Sequence, residues 1–325
     1  MRGRWQALCG AVAAAAAIHP GGSFAQTYPG KPVRYVIPFD AGSSPDIVGR
    51  TIGERLTRLW GQQVVVDNRV GAAGTLGSAF VAKAAPDGYT LLQANIASNA
   101  ISVSLYAKMP YDQLRDFAPI TRIGMTPNVI MVHPSTPFRT VRQMVDYAKA
   151  HPGKLSYSAS LPGTSPHLTI ELLKLQLKFD IVYIPYKLGA QAVTDTIGGQ
   201  VPINISNGPL STGPVQSGRL RALAVTSAQR LPLLPDVPTM KESGVPNFEV
   251  TSWYGLMAPA GTPAAILDKI NADMQVALHS PEVEKRMQDV SMPPSPTTRQ
   301  EFDQFVRNEI ARWARVIKEA GIPQQ

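Results

Sequence analysis

Three segments rich in glycine, serine and threonine lie where a predicted strand turns into a predicted helix. They are Ala41–Asp46 (AGSSPD), Gly71–Thr75 (GAAGT) and Leu161–His167 (LPGTSPH). Small residues leave backbone N–H groups accessible there, and the first N–H groups of a helix have no partner within the helix. A helix start also carries a partial positive charge, so such turns can bind an anion such as a carboxylate. For any one of them, simple capping and turn formation is the favoured explanation, but three at successive strand ends favour a solute-binding cleft.

The sequence lacks the motifs of the common enzyme classes. After residue 25, histidine occurs at His133, His151, His167 and His279, and none of these has the spacing of a zinc site or lies beside an acidic cluster. The segment GTSPH lacks the second glycine of a nucleophile elbow, and there is no Walker motif. GAAGTLG lacks the GxG pair of a dinucleotide-binding loop. We therefore expect a protein that is not an enzyme and holds no metal or cofactor.

Predicted strands and helices alternate along the chain and must position these turns. RYVIPF is followed by a helix with Ser44 as its predicted N-cap and Pro45 as its first residue, and VVVDN and YTLLQAN are the next strands. Such alternation predicts βαβ units with largely parallel sheets, and 325 residues suffice for two domains. We expect two α/β lobes, residues 26–126 with 252–325 in the first and 127–251 in the second.

The N-terminus has the three parts of a secretory signal peptide. Arg2 and Arg4 precede the short apolar run Ala11–Ile18, and Ser23 and Ala25 supply the small residues of a cleavage site. The prediction is a signal peptide over residues 1–25 and export of the remainder. The formal net charge is +8, but the basic residues form no run and do not alternate with aromatic residues, so no nucleic acid partner is expected.

Longer segments resemble the solute-binding receptors of the tripartite tricarboxylate transporters, the Bug or TctC-type family. The similarity covers essentially the whole chain after residue 25 and includes YPGKPVRYVIPF, GQQVVVDNRVGAAGTLGSAFVAKAAPDGYTLL, VYIPYKLGAQAVTDTIGGQV, SGRLRALAVTS and WYGLMAPAGTP. It implies a type II periplasmic-binding-protein fold, in which two lobes, each with a central sheet flanked by helices, close about a hinge on a solute. It also implies a periplasmic monomer that delivers a small carboxylate to a separate membrane permease, without catalysis.

The resemblance also implies which residues bind the solute. Carried over position by position, they are Phe39, Ala41, Gly42, Ser43, Ser44, Asp46, Thr75, Asn95, Ser98, Ser158, Ser160, Gly163, Thr164, His167, Tyr186, Lys187, Ser206 and Asn207.

Several of these residues have two readings. The hydroxyls of Ser43 and Ser44, which replace glycines common in the family, either donate to a bound carboxylate or cap the helix. His167 is expected to be a neutral, hydrogen-bonded residue that steadies its loop rather than an ion partner. Lys187 either pairs with the solute or is solvated at a strand end.

One departure from the family bears on the solute. Ser206 stands where many relatives carry aspartate, and a serine cannot supply the charge that an ammonium group requires. We therefore expect an aliphatic or aromatic dicarboxylate, or a similar acid without an amine. Leu188 replaces a usual glycine and is expected to alter the edge of the pocket.

Two other functions fit the same cleft. A periplasmic sensor would present its closed form to a signalling partner such as a sensor kinase, and an exported enzyme on this fold would turn its ligand over. Neighbouring genes would distinguish the sensor, and turnover would reveal the enzyme.

Overall fold

A computed structural model describes residues 28–324, so the predicted signal peptide lies outside the described residues. The strands are β1 (Val33–Ile37), β2 (Val64–Asn68), β3 (Thr90–Asn95), β4 (Phe117–Val132), β5 (Ser156–Ala159), β6 (Val182–Pro185), β7 (Ile203–Asn207), β8 (Arg221–Val225) and β9 (Thr251–Pro259). The helices are α1 (Ser44–Trp60), α2 (Thr75–Ala82), α3 (Ser102–Leu105), α4 (Val141–Ala150), α5 (Ser165–Leu177), α6 (Gly189–Ile197), α7 (Gly208–Gln216), α8 (Ala264–Leu278), α9 (Pro281–Asp289) and α10 (Arg299–Glu319). No helix of this part of the chain is both long enough and apolar enough to cross a membrane.

Two sheets share the long strand β4. The first has the order β2-β1-β3-β9-β4, with β1 parallel to β2 and β3 and with β9 antiparallel to β3 and β4. The second contains β4-β7-β5-β6, with β8 also on β4. The partner of β4 changes within the strand: Pro127 is the last residue paired with β9, and Asn128 is the first paired with β7. The chain therefore crosses between the sheets at this point and returns at the start of β9.

Apolar burial follows the two sheets. One cluster fills the first sheet beneath α1, α8 and α9 and includes Tyr35, Ile52 and Ile270. A larger cluster continues from the first sheet through β4 into the second and includes Trp253 and Tyr157. The C-terminal helix α10 covers β9, where the indole N–H groups of Trp253 and Trp313 both donate to Glu309 Oε2.

Three local predictions were wrong, each for a physical reason. The N-cap of α1 is Ser43 and not Ser44, so the helix begins one residue earlier than predicted. The run NVIMVHP predicts a strand over residues 128–134, but β4 begins at Phe117, because pairing with β9 extends it through a segment whose prolines and two register shifts hide the alternation. Helix α7 was missed because its sequence, GPLSTGPVQ, has the composition of a turn.

Candidate functional site

The turn between β1 and α1 places Gly42 in the left-handed region. Gly42 has φ +80°, and the Ser43 N–H donates to Asp40 O at 3.1 Å, so the chain reverses as in a type II turn before the helix begins. The carboxylate of Asp46 then accepts the Gly42 N–H at 2.8 Å and closes the turn. This residue, predicted to contact solute, thus holds the backbone of the turn.

The turn between β5 and α5 repeats this geometry with different side chains. Gly163 has φ +77°, and the Thr164 N–H donates to Leu161 O at 3.3 Å. The Gly163 N–H donates to Nδ1 of His167, four residues on, at 3.3 Å. The two segments, GSSPD and GTSPH, share a glycine, a hydroxyl residue, a Ser-Pro helix start and an acceptor for the glycine N–H. A strand of the first sheet and a strand of the second are therefore followed by the same type of turn.

Neither of these helices is capped by its N-cap side chain. Ser43 and Thr164 precede α1 and α5 in extended conformations and make no side-chain cap, whereas Thr140 and Thr298 cap α4 and α10. The Ser43 hydroxyl oxygen is buried without a partner among residues 28–324. Because the second helical residue is proline in both cases, the first and third residues retain N–H groups that cannot be paired within the helix. Each turn thus presents two backbone donors, matching the two oxygens of one carboxylate.

The third turn lies against the end of β3. Gly74 has φ +94°, and a Cβ there would lie 3.1 Å from Asn95 Nδ2 and 3.4 Å from Ser98 Cβ, so only glycine lets the turn approach this closely. The Thr75 hydroxyl donates to Ala72 O and holds the turn. A Cβ on Gly74 would also lie 3.4 Å from Pro38 Cβ, which places this turn beside the end of β1.

Asn95 and Ser98 are bonded to each other and to backbone. Asn95 Oδ1 accepts the N–H groups of Ala97 and Ser98, and Asn95 Nδ2 donates to Ser98 Oγ at 2.7 Å. These bonds begin the buried π-helical turn Ala97–Ile101, and such turns are frequent at functional sites. The polar atoms of both side chains therefore bond within the protein, beneath the Gly71–Thr75 turn, and are not exposed.

The β5–α5 turn packs against α3, which follows the π-helical turn. A Cβ on Gly163 would lie 2.4 Å from Leu105 Cδ2, and Leu105 ends α3, which follows the π-helical turn directly. The β5–α5 turn thus contacts elements that follow the first sheet. The Gly71–Thr75 turn and the β5–α5 turn therefore contact successive parts of the same segment, residues 95–105.

The electrostatics of the two turns differ. Asp46 is 2% exposed, and although burial raises its pKa, hydrogen bonds from Arg50, Asn68 and Gly42 together hold the pKa below its ordinary value. Burial lowers the pKa of His167 from 6.5 to about 4, and its ring packs against that of Tyr183 at a tilt of 36°, with the centroids 4.4 Å apart. The first turn therefore carries an ionised acceptor and the second a neutral one at pH 7.

The remaining predicted residues of the second sheet form two groups. One group lies just after strands β5 and β6, and the other lies within strands β5 and β7. Ser160 Oγ lies 3.0 Å from Thr164 Oγ1, and Lys187 is exposed, while the Tyr186 hydroxyl donates to Asp195.

Ser158 is fully buried, and its hydroxyl lies within bonding distance of Thr196 Oγ1, Ala192 O and Ile203 O. Ser206 donates to Asn204 Oδ1, and Asn207 donates to Asn128 and Ser252. The side chains of Ser158, Ser206 and Asn207 thus bond within the protein.

Phe39 and Ala41 complete the first turn. Phe39 is half-buried and meets Tyr254 edge-on, with the ring centroids 5.7 Å apart, and Ala41 is exposed. Phe39 O accepts from Asn68 Nδ2, so the end of β2 also supports this turn. The polar end of VVVDN was the signal in the sequence that could have found Asn68.

The described residues contain no group of three or more His, Cys, Asp or Glu placed to hold a metal ion. The turns are built instead from backbone N–H groups, hydroxyls and amides, and the buried carboxylate of Asp46 is paired with Arg50. Such a site suits reversible binding of an anion.

Comparison with known proteins identifies the family. The family model TctC, described as "Tripartite tricarboxylate transporter family receptor", matches residues 48–322. The chain belongs to this family. It is 37% identical to the protein BugT of Bordetella pertussis over 298 residues, which cover 91% of each chain.

Two solved TctC-type structures from Rhodopseudomonas palustris are similar to the whole described fold. Rpa4515 with adipate is 36% identical with a TM-score of 0.85 and covers 91% of this chain and 99% of that one. MatC (Rpa3494) with bound malate is 30% identical with a TM-score of 0.81 and covers 89% and 100%. The predicted α/β periplasmic-binding fold and the predicted membership of the TctC family are thereby confirmed. The family is one of periplasmic solute-binding receptors and not of enzymes.

Proposed function

We propose that this TctC receptor captures a small carboxylate without an amine between its two lobes and delivers it to a membrane permease. The observation that carries the proposal is the repeated turn: Gly42–Asp46 and Gly163–His167 each start an uncapped helix at a strand end. Four backbone N–H groups, two from each turn, can then bind carboxylate oxygens without a formal cation.

The proposal that the solute has no amine rests on the residues that could pair with an ammonium group. Ser206 brings no charge, and the carboxylate of Asp46 already accepts three hydrogen bonds, from Gly42, Arg50 and Asn68. An ammonium group on the solute would therefore lack a partner at these positions and would lose its hydration without compensation. The adipate and malate bound by the two Rhodopseudomonas relatives are both dicarboxylates without an amine, which supports the same class here.

The predicted contacts divide into binding groups and supports. We propose that Ala41, Ser43, Ser160, Thr164 and Lys187 face the solute, together with the backbone N–H of Ser44, with Phe39 and Tyr186 at its flanks. Gly42, Asp46, Gly163 and His167 fix the two turns, and Thr75, Asn95, Ser98, Ser158, Ser206 and Asn207 hold the elements beneath them. The assignment of the supports rests on their hydrogen bonds within the protein, and that of the solute-facing residues rests on their position just after the strands.

We further propose lobes of residues 26–126 with 252–325 and of residues 127–251, and export with cleavage after residue 25. The change of partner within β4 at residues 127 and 128, and the return of the chain into β9 at Thr251, support these lobe boundaries. Mass spectrometry of the protein recovered from a periplasmic extract tests the cleavage.

A carboxylate panel tests the function. Calorimetric titration of the purified protein with adipate, malate, citrate, an aromatic diacid, glutamate and aspartate should show saturable binding of a diacid, and thermal unfolding should shift upward at saturation. Tighter binding of an amino acid would contradict the absence of an amine. Consumption of ligand in stoichiometric excess would instead indicate an enzyme.

A further inference from the structure

Asn128 lies at the residue where β4 leaves one sheet and joins the other. Its neighbour Pro127 pairs with Thr251 of β9, and Asn128 itself pairs with Asn207 of β7. The side chain is fully buried. Any rotation of one sheet against the other about these crossings must therefore move the surroundings of this side chain.

Its amide joins three elements. Asn128 Nδ2 donates to Ser165 Oγ and to Thr169 Oγ1, both at 2.8 Å, and both residues lie in the first turns of α5. Asn128 Oδ1 accepts from Asn207 Nδ2 at 2.9 Å. Both N–H bonds of the amide are thus directed at the helix that starts from the candidate turn.

The bonds continue into the second crossing. Asn207 Nδ2 also donates to Ser252 Oγ at 2.8 Å, on the strand by which the chain returns to the first sheet. Ser165, Thr169 and Ser252 are buried and Asn207 is half-buried, so the bonds of Asn128 to α5 are shielded from water and are hard to replace. The start of α5 and both crossing strands are therefore connected through Asn128 and Asn207.

We propose that Asn128 is a positioning residue that couples solute binding at the Gly163–His167 turn to the geometry of both crossing strands. A solute that accepts a hydrogen bond from the N–H of Ser165 displaces the start of α5. Asn128 transmits that displacement to the point where β4 crosses between the sheets. The proposal rests on the proposed function for its ligand, but the coupling between turn and crossing exists in the free protein as well.

Asn204 provides a matched control. It is equally buried, and its amide donates to Ser158 Oγ at 2.9 Å and accepts from the Ser206 hydroxyl at 2.8 Å. Its side-chain bonds remain inside the second sheet and do not reach the crossing strands. Replacing either asparagine by alanine removes a similar buried amide, so a difference between the variants reports on what each amide connects.

Hydrogen exchange of the free protein is the first test. Asn128→Ala should increase amide exchange at least tenfold both in residues 163–169 and in residues 250–253. Asn204→Ala should increase exchange near β5 and α6 and leave residues 250–253 within threefold of wild type. Equal exchange at the crossing in both variants would reduce Asn128 to an ordinary core residue and overturn the proposal.

Dissociation of a ligand is the second test, with adipate and malate as probes. At matched losses of thermal stability, Asn128→Ala should release the bound diacid at least tenfold faster than wild type, and Asn204→Ala should change the rate less than threefold. Similar rates in both variants would again overturn the coupling. Failure of wild type to bind either diacid would count against the proposed ligand class, while the exchange measurement would still decide the role of Asn128.

A milder variant covers the case in which Asn128→Ala does not fold. Ser252→Ala removes only the contact of Asn207 with the second crossing and should still raise exchange in residues 163–169 at least threefold. Unchanged exchange in that segment would contradict a connection through Asn207.

Discussion

The turns that start α1 and α5 follow the same backbone course but are stabilised by different interactions. In the first, Asp46 is ionised and is bonded by Arg50 and Asn68 as well as by Gly42. In the second, His167 is neutral and packs at a tilt against Tyr183, and Gly163 packs against Leu105. The same arrangement of backbone donors can thus be stabilised by charge or by packing, and different perturbations should destabilise the two turns.

The largest expected difference concerns the two glycines. Gly163→Ala should lower the free energy of unfolding by about 2–5 kcal/mol, because the left-handed φ costs about 1–2 kcal/mol and overpacking against buried Leu105 about 1–3 more. Gly42→Ala should lose only about 1–2 kcal/mol, since no atom of the described part of the chain lies within 4 Å of its added Cβ. Denaturant unfolding measures both, and equal losses would contradict the difference in packing.

The pH dependence should separate the turns next. The pKa of His167 is lowered to about 4 by burial, so the unfolded chain binds a proton first as the pH falls below 6.5. Stability contributed by neutral His167 should be complete above pH 6.5 and decline by about 3 kcal/mol as the pH falls through 4. His167→Gln should remove this decline in chemical unfolding measured from pH 7 to 4. If His167→Gln kept the wild-type decline over this pH range, the stability of the second turn would not depend on a neutral imidazole.

Asp46→Asn should have a smaller effect, about 1–3 kcal/mol, because the Arg50 and Gly42 donors lose an ionised acceptor. The lowered pKa of Asp46 means that its contribution is present above pH 3.8 and is lost as the pH falls through the folded value. Wild type and variant should therefore converge in stability below that pH. A constant difference down to the lowest pH would assign the loss to packing instead of charge.

The smallest effect on stability is expected at Ser43. Its hydroxyl does not cap α1 and has no hydrogen-bond partner within residues 28–324, so Ser43→Ala should change the free energy of unfolding by less than about 0.5 kcal/mol. The variant should nevertheless weaken binding of the tightest diacid about tenfold through loss of a donor to a charged group. Titration calorimetry and denaturant unfolding together measure the two effects.

Thr298→Ala is the matched cap variant. Thr298 forms a capping box with Glu301 at the start of α10, so its loss should cost about 1 kcal/mol of stability and leave binding unchanged. A comparable stability loss in Ser43→Ala would mean that Ser43 serves the helix.

Much of the site could be located from the sequence, because glycine, proline and hydroxyl residues signal a turn wherever they occur together. The segments Ala41–Asp46 and Leu161–His167 were identified in this way, and both begin helices in the structure. The partners of individual polar side chains could not be predicted. Ser158 bonds Thr196, which is 38 residues away, and that contact depends on how β5, β7 and α6 pack.

The sequence by itself determined the alternating elements, the turns and the family, since these depend on local preferences and on the order of residue types. Only the tertiary structure decided that Asp46 and His167 hold their own turns, and that Asn128 joins one of those turns to both crossing strands. A side chain at a strand end can face the solute or the interior. Which of these it faces depends on strand pairing and on residues far away in the chain, and local sequence carries no record of either.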